Sequence, residues 1–253
     1  MCTLAIYFRV FPSYPAVIAA NRDEFLARPA LAPTTLSEHP HVVGGKDLKA
    51  GGTWLGINEY GMVAGLLNRR SEGEGDPAAR SRGLLCLDAL RCATADEAAE
   101  MVRAQRAANY NGFNLLMASR ERAWVAYNRA GAIDLQDLAP GVHLLTNLNV
   151  DDFECPKISR AYRQFAALAE DELFARDPVA NRGRLRAILA DHFTQLDPRS
   201  GRPNALCLHL DSYGTRSSSL IFLGAAAGQV EHFFAPGPPC TTLHEPAARP
   251  VFH

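Results

Sequence analysis

The chain has 253 residues, of which 47% are hydrophobic and 21% charged, with a net charge of −1. Such a chain can bury the core of one large domain spanning residues 1–253, and its balanced charge argues against a nucleic-acid partner. No apolar run approaches the ~18 residues of a membrane span, so no integral membrane contact is expected, and Leu4 to Phe8, broken at once by Arg9 and Pro12, is too short for a secretory leader.

Thr3 to Arg9 and Ala16 to Ala20 are rich in apolar and β-branched residues, and Pro12-Ser13-Tyr14-Pro15 between them predicts a hairpin. A Gly-rich connection, Gly44 to Gly52, leads to two further strands, Thr53 to Asn58 and Met62 to Asn68, turning at Glu59-Tyr60-Gly61. Arg69 to Gly83 reads as an exposed polar loop. Leu84, Leu87 and Leu90 recur at helical spacing, and Thr94-Ala95-Asp96-Glu97 is a capping box opening a second helix toward Ala108. Strands follow at Phe113 to Ala118, Ala123 to Tyr127 and Val142 to Thr146. A helical pair is expected at about Ser159 to Arg176 and Asn181 to Phe193, and closing strands near Ala205 to Leu210, Ser218 to Leu223 and Gln229 to Phe234. Strands and helix pairs alternate in blocks, without repeated βα units. This predicts an α+β fold, a four-layer α-β-β-α sandwich, rather than a doubly wound parallel sheet.

Cys2 stands directly behind the initiator Met1. A small second residue permits removal of Met1, and the thiol would then share a residue with a free α-amine of suitable basicity, the logic of an N-terminal nucleophile. The other reading is a small buried hydrophobe opening a strand. Asn21-Arg22-Asp23-Glu24 ends the second strand, where alternation puts Asn21 and Asp23 on one face and Arg22 on the other. A hairpin that returns this end to residue 2 would let Asp23 hold the Cys2 amine. Asn68 and Asn147 each end an apolar strand, where an amide can either stabilise an oxyanion or cap a turn.

Met1-Cys2-Thr3, Asn21-x-Asp23, Gly56-x-Asn58-Glu59-x-Gly61, Ala64-Gly65-Leu66-x-Asn68 and Leu145-Thr146-Asn147 resemble, in order, the landmarks of the choloylglycine hydrolase and penicillin V acylase group. Asn21-Arg22-Asp23-Glu24, Gly51-Gly52-Thr53-Trp54-Leu55-Gly56, Ser81-Arg82-Gly83 and Tyr213-Gly214-Thr215-Arg216-Ser217 are similar to the NRDE family, also called the transport-and-Golgi-organisation type-two family. The hydrolase resemblance implies Cys2 as nucleophile, Asp23 at its amine, Asn68 and Asn147 at the oxyanion, and Arg160 of Ser159-Arg160 as a supporting cation. Its other expected arginine would precede Asn21, where this chain has Ala20. Within the NRDE-type motifs, Asn21, Arg22, Trp54 and Arg216 are the expected ligand contacts. Two functions are therefore open, cleavage or transfer at an amide or thioester, and carriage of an amphipathic ligand such as haem or acyl-coenzyme A.

The resemblance requires no cofactor, with haem as a ligand only. As axial ligands His39, His41, His143, His192, His209, His232, His244, Cys2 and Met1 qualify on residue type alone. Arg69, Arg70, Arg80 and Arg82 could meet the phosphates of coenzyme A or the propionates of haem, or be neutralised locally by Glu72, Glu74 and Asp76. The six cysteines lack C-x-x-C spacing, and His209-x-Asp211 lacks partners at metal-ligand spacing. No metal site is expected, and a reducing cytoplasm is the expected location.

Overall fold

The computed structural model describes residues 2–69, 75–129, 131–196, 201 and 203–252. In chain order these form β1 (Thr3–Phe11), β2 (Tyr14–Phe25), β3 (Ala30–Glu38), β4 (His41–Asp47), β5 (Leu55–Asn58), β6 (Val63–Asn68), α1 (Arg82–Ala89), α2 (Ala95–Arg103), β7 (Phe113–Ala118), β8 (Ala123–Arg129), β9 (Ala132–Asp137) and β10 (Gly141–Leu145). Then come α3 (Pro156–Ala169), α4 (Glu172–Arg176), α5 (Gly183–Leu189), β11 (Gln195–Leu196), β12 (Pro203–Asn204), β13 (Tyr213–Leu223), β14 (Val230–Ala235) and β15 (Glu245–Pro246). None of the helices is long and apolar enough to cross a membrane, among the described residues.

Two compact units share the chain. The first takes residues 1–27, 140–222 and 231–247, and the second takes residues 28–139, 223–230 and 248–253.

In the first unit a six-stranded sheet runs β10-β1-β2-β13-β14-β15. Leu4, Ala5, Ile6, Tyr7 and Phe8 are all buried, so β1 is covered on both faces, which is why its sequence is a continuous apolar run rather than an alternating one. Ala5, Tyr7, Phe11, Val17 and Ala19 pack against Ile158 and Phe165 of α3, Phe174 of α4 and Leu185 and Leu189 of α5. Tyr7 also donates its hydroxyl to the Phe165 carbonyl at 2.9 Å. The hairpin at Pro12 forms as predicted, pairing Phe11 with Tyr14.

In the second unit seven strands form a meander, β3 through β9 in order. Met62, Ala64, Leu115, Met117 and Ala126 pack against Leu85, Ala89, Ala98 and Val102 of α1 and α2. The capping box at Thr94 forms, with Thr94 Oγ1 accepting from the Glu97 amide at 3.1 Å.

Several segments depart from the sequence reading, which has no counterpart of β3 (Ala30–Glu38). The expected Gly-rich connection is partly the strand β4, because Gly44 and Gly45 provide close approach rather than flexibility. A Cβ on Gly44 would lie 2.7 Å from the Leu55 carbonyl oxygen, and one on Gly45 would lie 2.2 Å from the Trp54 ring. β9 was not anticipated: Ile133 and Leu135 do alternate with exposed neighbours and pack against the core, but two half-buried apolar positions on a six-residue edge strand make a weak signal. Residues 205–210, expected as a strand, form no ladder. The apolar side chains of residues 205–208 are buried and Leu210 is exposed, but the backbone serves other partners, with the Cys207 amide on the Asp191 carbonyl (3.0 Å) and the Leu208 carbonyl taking the Thr215 amide (2.8 Å).

Candidate active site

Cys2 sits just ahead of β1. The β1–β2 register pairs Thr3 with Asn21, and the β1–β10 register pairs Leu4 with Leu145. Continuing both registers points Cys2 between Arg22 on one side and Asn147 on the other. The Asp23 amide donates to Cys2 Sγ at 3.3 Å, and the thiol faces the Asp23 carbonyl at 3.4 Å. Burial, followed by the Asp23 charge, pushes the thiol above its ordinary pKa, while Arg22 opposes the shift. In the sequence alone, strand alternation, with Asp23 assigned to the Cys2 amine, gives Arg22 on the other face no role in the chemistry at Cys2. The structure gives its charge a part in it, because alternation turns Arg22 toward the face opposite Asn21 and Asp23, and residue 2 lies across from Arg22 in the ladder.

Asp23 is buried, and its Oδ1 accepts from Thr215 Oγ1 at 2.7 Å. Thr215 Oγ1 in turn accepts from the Leu208 amide at 2.9 Å. Tyr213 donates its hydroxyl to the Asp23 carbonyl at 3.1 Å; burial first, then the charges of Cys2 and Asp23, raise its pKa. Asn21 reaches the helical layer instead, its Nδ2 bonding the carbonyls of Leu189 (2.8 Å) and Leu206 (2.9 Å). Arg22 is buried with Glu24 beside it at 3.9 Å.

Lys157 was not anticipated as a site residue. It lies in the first turn of α3 and is only 5% exposed. Burial lowers its pKa, while the charges of Asp23, Cys2 and Cys155 favour its protonated form. A lysine at the positive end of a helix dipole opposes the local preference, so its place there has a tertiary cause. The sequence carried one signal, since Pro156 marks the first helical position and leaves the wrong charge just behind it.

Asn147 follows β10 and is half-buried. Its loop is closed by Asp151, whose carboxylate accepts from the Leu144 amide (2.8 Å) and pairs with His143 (2.7 Å).

A model of the family described as Transport and Golgi organisation 2 matches residues 1–233. The chain is 30% identical to the Transport and Golgi organization protein 2 homolog of Bos taurus, with 89% of each chain covered. The Homo sapiens homolog is 29% identical over the same shares. This chain belongs to the Transport and Golgi organisation 2 family. Solved structures similar to it include a mutant conjugated bile acid hydrolase from Clostridium perfringens (TM-score 0.51, 10% identity, 100% of this chain and 99% of that one). Penicillin V acylase from Agrobacterium tumefaciens is also similar (0.53, 12%, 93% and 83%), as is the Caenorhabditis elegans ortholog of N-acylethanolamine-hydrolyzing acid amidase (0.57, 13%, 87% and 92%). At these identities the likeness shows the fold, the α+β architecture of N-terminal-nucleophile hydrolases.

Several motifs that mark the family have structural duties in this member. Gly52 adopts a left-handed φ of 76° against Gly83, whose carbonyl accepts from the Thr53 amide at 3.0 Å, so the Gly51-Gly52-Thr53 and Ser81-Arg82-Gly83 segments need each other's lack of side chain. Asn58 uses both ends of its amide on the Leu90 and Cys92 carbonyls and the Tyr60 and Met62 amides. Trp54 covers Gly45. Asn68 ends β6 in the second unit and is exposed.

Arg160 pairs with Asp191 at 2.8 Å and lies over the Phe193 ring at 4.3 Å, so its charge is spent at the end of α5. Arg69 bonds Asn114, Arg80 bonds Tyr110 and Asp88, and Arg82 bonds the Gly112 carbonyl. Arg70, Glu72, Glu74 and Met1 lie outside the described residues. Arg216 lines a pocket of about 140 Å³ together with Leu26, Leu208, Tyr213 and Pro238. Its Nε is buried without a hydrogen-bond partner among the described residues.

Proposed function

We propose that this protein is a cysteine N-terminal-nucleophile enzyme that hydrolyses or transfers the acyl group of a small amphipathic amide or thioester in the cytoplasm. The observation that carries the reading is the thiol of Cys2 seated on the Asp23 peptide at the mouth of a strand buried on both faces. Removal of Met1 exposes the Cys2 amine, which takes the thiol proton as sulfur attacks the substrate carbonyl. Asn147 donates to the oxyanion. Collapse expels the amine or thiol, which leaves with that proton, and water then releases the acid from the acyl-enzyme. Asp23 orients the α-amine, and Arg22 and Lys157 supply positive charge around the thiolate. The solved neighbours described as a bile acid hydrolase, a penicillin V acylase and an acid amidase support the amide class.

Intact-mass measurement should show loss of Met1, and a panel of N-acyl amides and acyl thioesters should reveal turnover that Cys2→Ala abolishes. Retained Met1, or turnover surviving Cys2→Ala, refutes the enzymatic reading. If Cys2→Ala and the native protein bind haem or acyl-coenzyme A equally and neither turns over the panel, the protein is a carrier.

A further inference from the structure

Apart from Cys2, the first unit gathers four further potential ligands. His192 follows α5, Cys207 and His209 stand on the irregular segment before β13, and Cys240 lies beyond β14. Their ligating atoms all fall within 4.8 Å of one another. Cys207 Sγ and Cys240 Sγ are 3.6 Å apart, and His209 Nε2 is 3.6 Å from the first and 3.4 Å from the second. The His192 ring lies 5.1 Å from the His209 ring, centre to centre.

A tetrahedral zinc ion with bonds of about 2.3 Å to sulfur and about 2.0 Å to nitrogen requires edges of about 3.8 Å between sulfurs and about 3.5 Å between sulfur and nitrogen. The three atoms of Cys207, His209 and Cys240 already form such a face, and the exposed His192 places a ring nitrogen within 4.8 Å of them, near the fourth position. Two thiolates and two imidazoles from four separate backbone positions select zinc over the hard cations.

We propose that His192, Cys207, His209 and Cys240 bind one structural zinc ion. The sequence concealed it because two of the ligands come from distant segments. The bound ion would clamp the end of α5 and the loop beyond β14 to the segment that leads into β13. That segment presents the Leu208 amide to Thr215, which holds Asp23. The site is thus connected to the Cys2 region through two hydrogen bonds, yet it contains none of the proposed catalytic groups.

The test uses the full-length protein purified under reducing conditions, with metal content measured by mass spectrometry and Co²⁺ titrated into chelator-treated protein. About one zinc per chain is expected, together with thiolate-to-cobalt charge-transfer bands and the strong visible bands of a tetrahedral site. Cys240→Ser and His209→Ala should lose both, while Cys92→Ser, outside the cluster, should retain them. Thermal unfolding of the native protein should move to lower temperature on chelation and recover with Zn²⁺. Protein that contains no zinc and gives no charge-transfer band after thiol reduction overturns the proposal, as does a Cys240→Ser variant that folds and binds metal like the native chain. A Cys207–Cys240 disulfide isolated in place of the metal also overturns it.

Discussion

Asp23→Asn is the substitution that most directly probes the site, because the carboxylate is buried, accepts from Thr215 and is electrostatically linked to Cys2 and Lys157. Asn keeps an acceptor for Thr215 Oγ1 (2.7 Å) but removes the charge, so the part of the bond that is charge-assisted, out of about 1.5–3 kcal/mol, is lost. Lys157, equally buried, loses the carboxylate that most favours its protonated form. Leaving the buried Lys157 charge less compensated adds to that loss. A loss of about 3 kcal/mol is therefore expected, within reach of a protein stable by about 5–15 kcal/mol, so the variant should remain folded. Urea titration should show a lower midpoint at unchanged slope. Thr215→Val should cost about 2 kcal/mol, and the double variant should fall short of the sum by about 1 kcal/mol. Chemistry at Cys2 gives a second readout with the opposite sign. The Asp23 charge raises the thiol pKa, so Asp23→Asn should alkylate faster at a fixed pH while any turnover falls. Stability within about 0.5 kcal/mol of the native protein, an additive cycle, or slower alkylation would refute this account of the site.

Arg22 lowers the pKa of the same thiol, so Arg22→Gln should move the pH profile of Cys2 alkylation to higher pH, and Arg22→Lys should restore much of the native profile. His244 is buried, with Nε2 2.9 Å from Ser218 Oγ, and burial together with Arg186 and Arg182 lowers its pKa from 6.5 to about 4. Between those values the unfolded chain binds the extra proton. The stability this residue lends is complete above about pH 6.5 and falls by about 3 kcal/mol as pH drops toward 4. Urea titrations of His244→Asn across that range should show a flatter acid limb, and an unchanged limb would refute the assignment.

The sequence by itself determined the elements whose pattern is local. The double-sided apolar run of β1, the Pro12 hairpin and the Thr94 cap are consequences of near neighbours, and the ordered motifs around Cys2 and Asp23 carry the family and its fold. Arg160 shows the limit of that reading. A Ser-Arg pair promised a cation for the thiol, but helix packing turned the guanidinium to Asp191 and Phe193, whereas Lys157, three residues earlier, is the cation electrostatically linked to Asp23 and Cys2. β9 escaped because its alternation rests on Ile133 and Leu135 alone, and residues 205–210 misled because 205–208 are buried while their backbone bonds outside any ladder. Tertiary structure alone decided the part played by Arg22 and the meeting of His192, Cys207, His209 and Cys240. Periodicity records which face of an element is buried, but not which distant segment folds back to meet it.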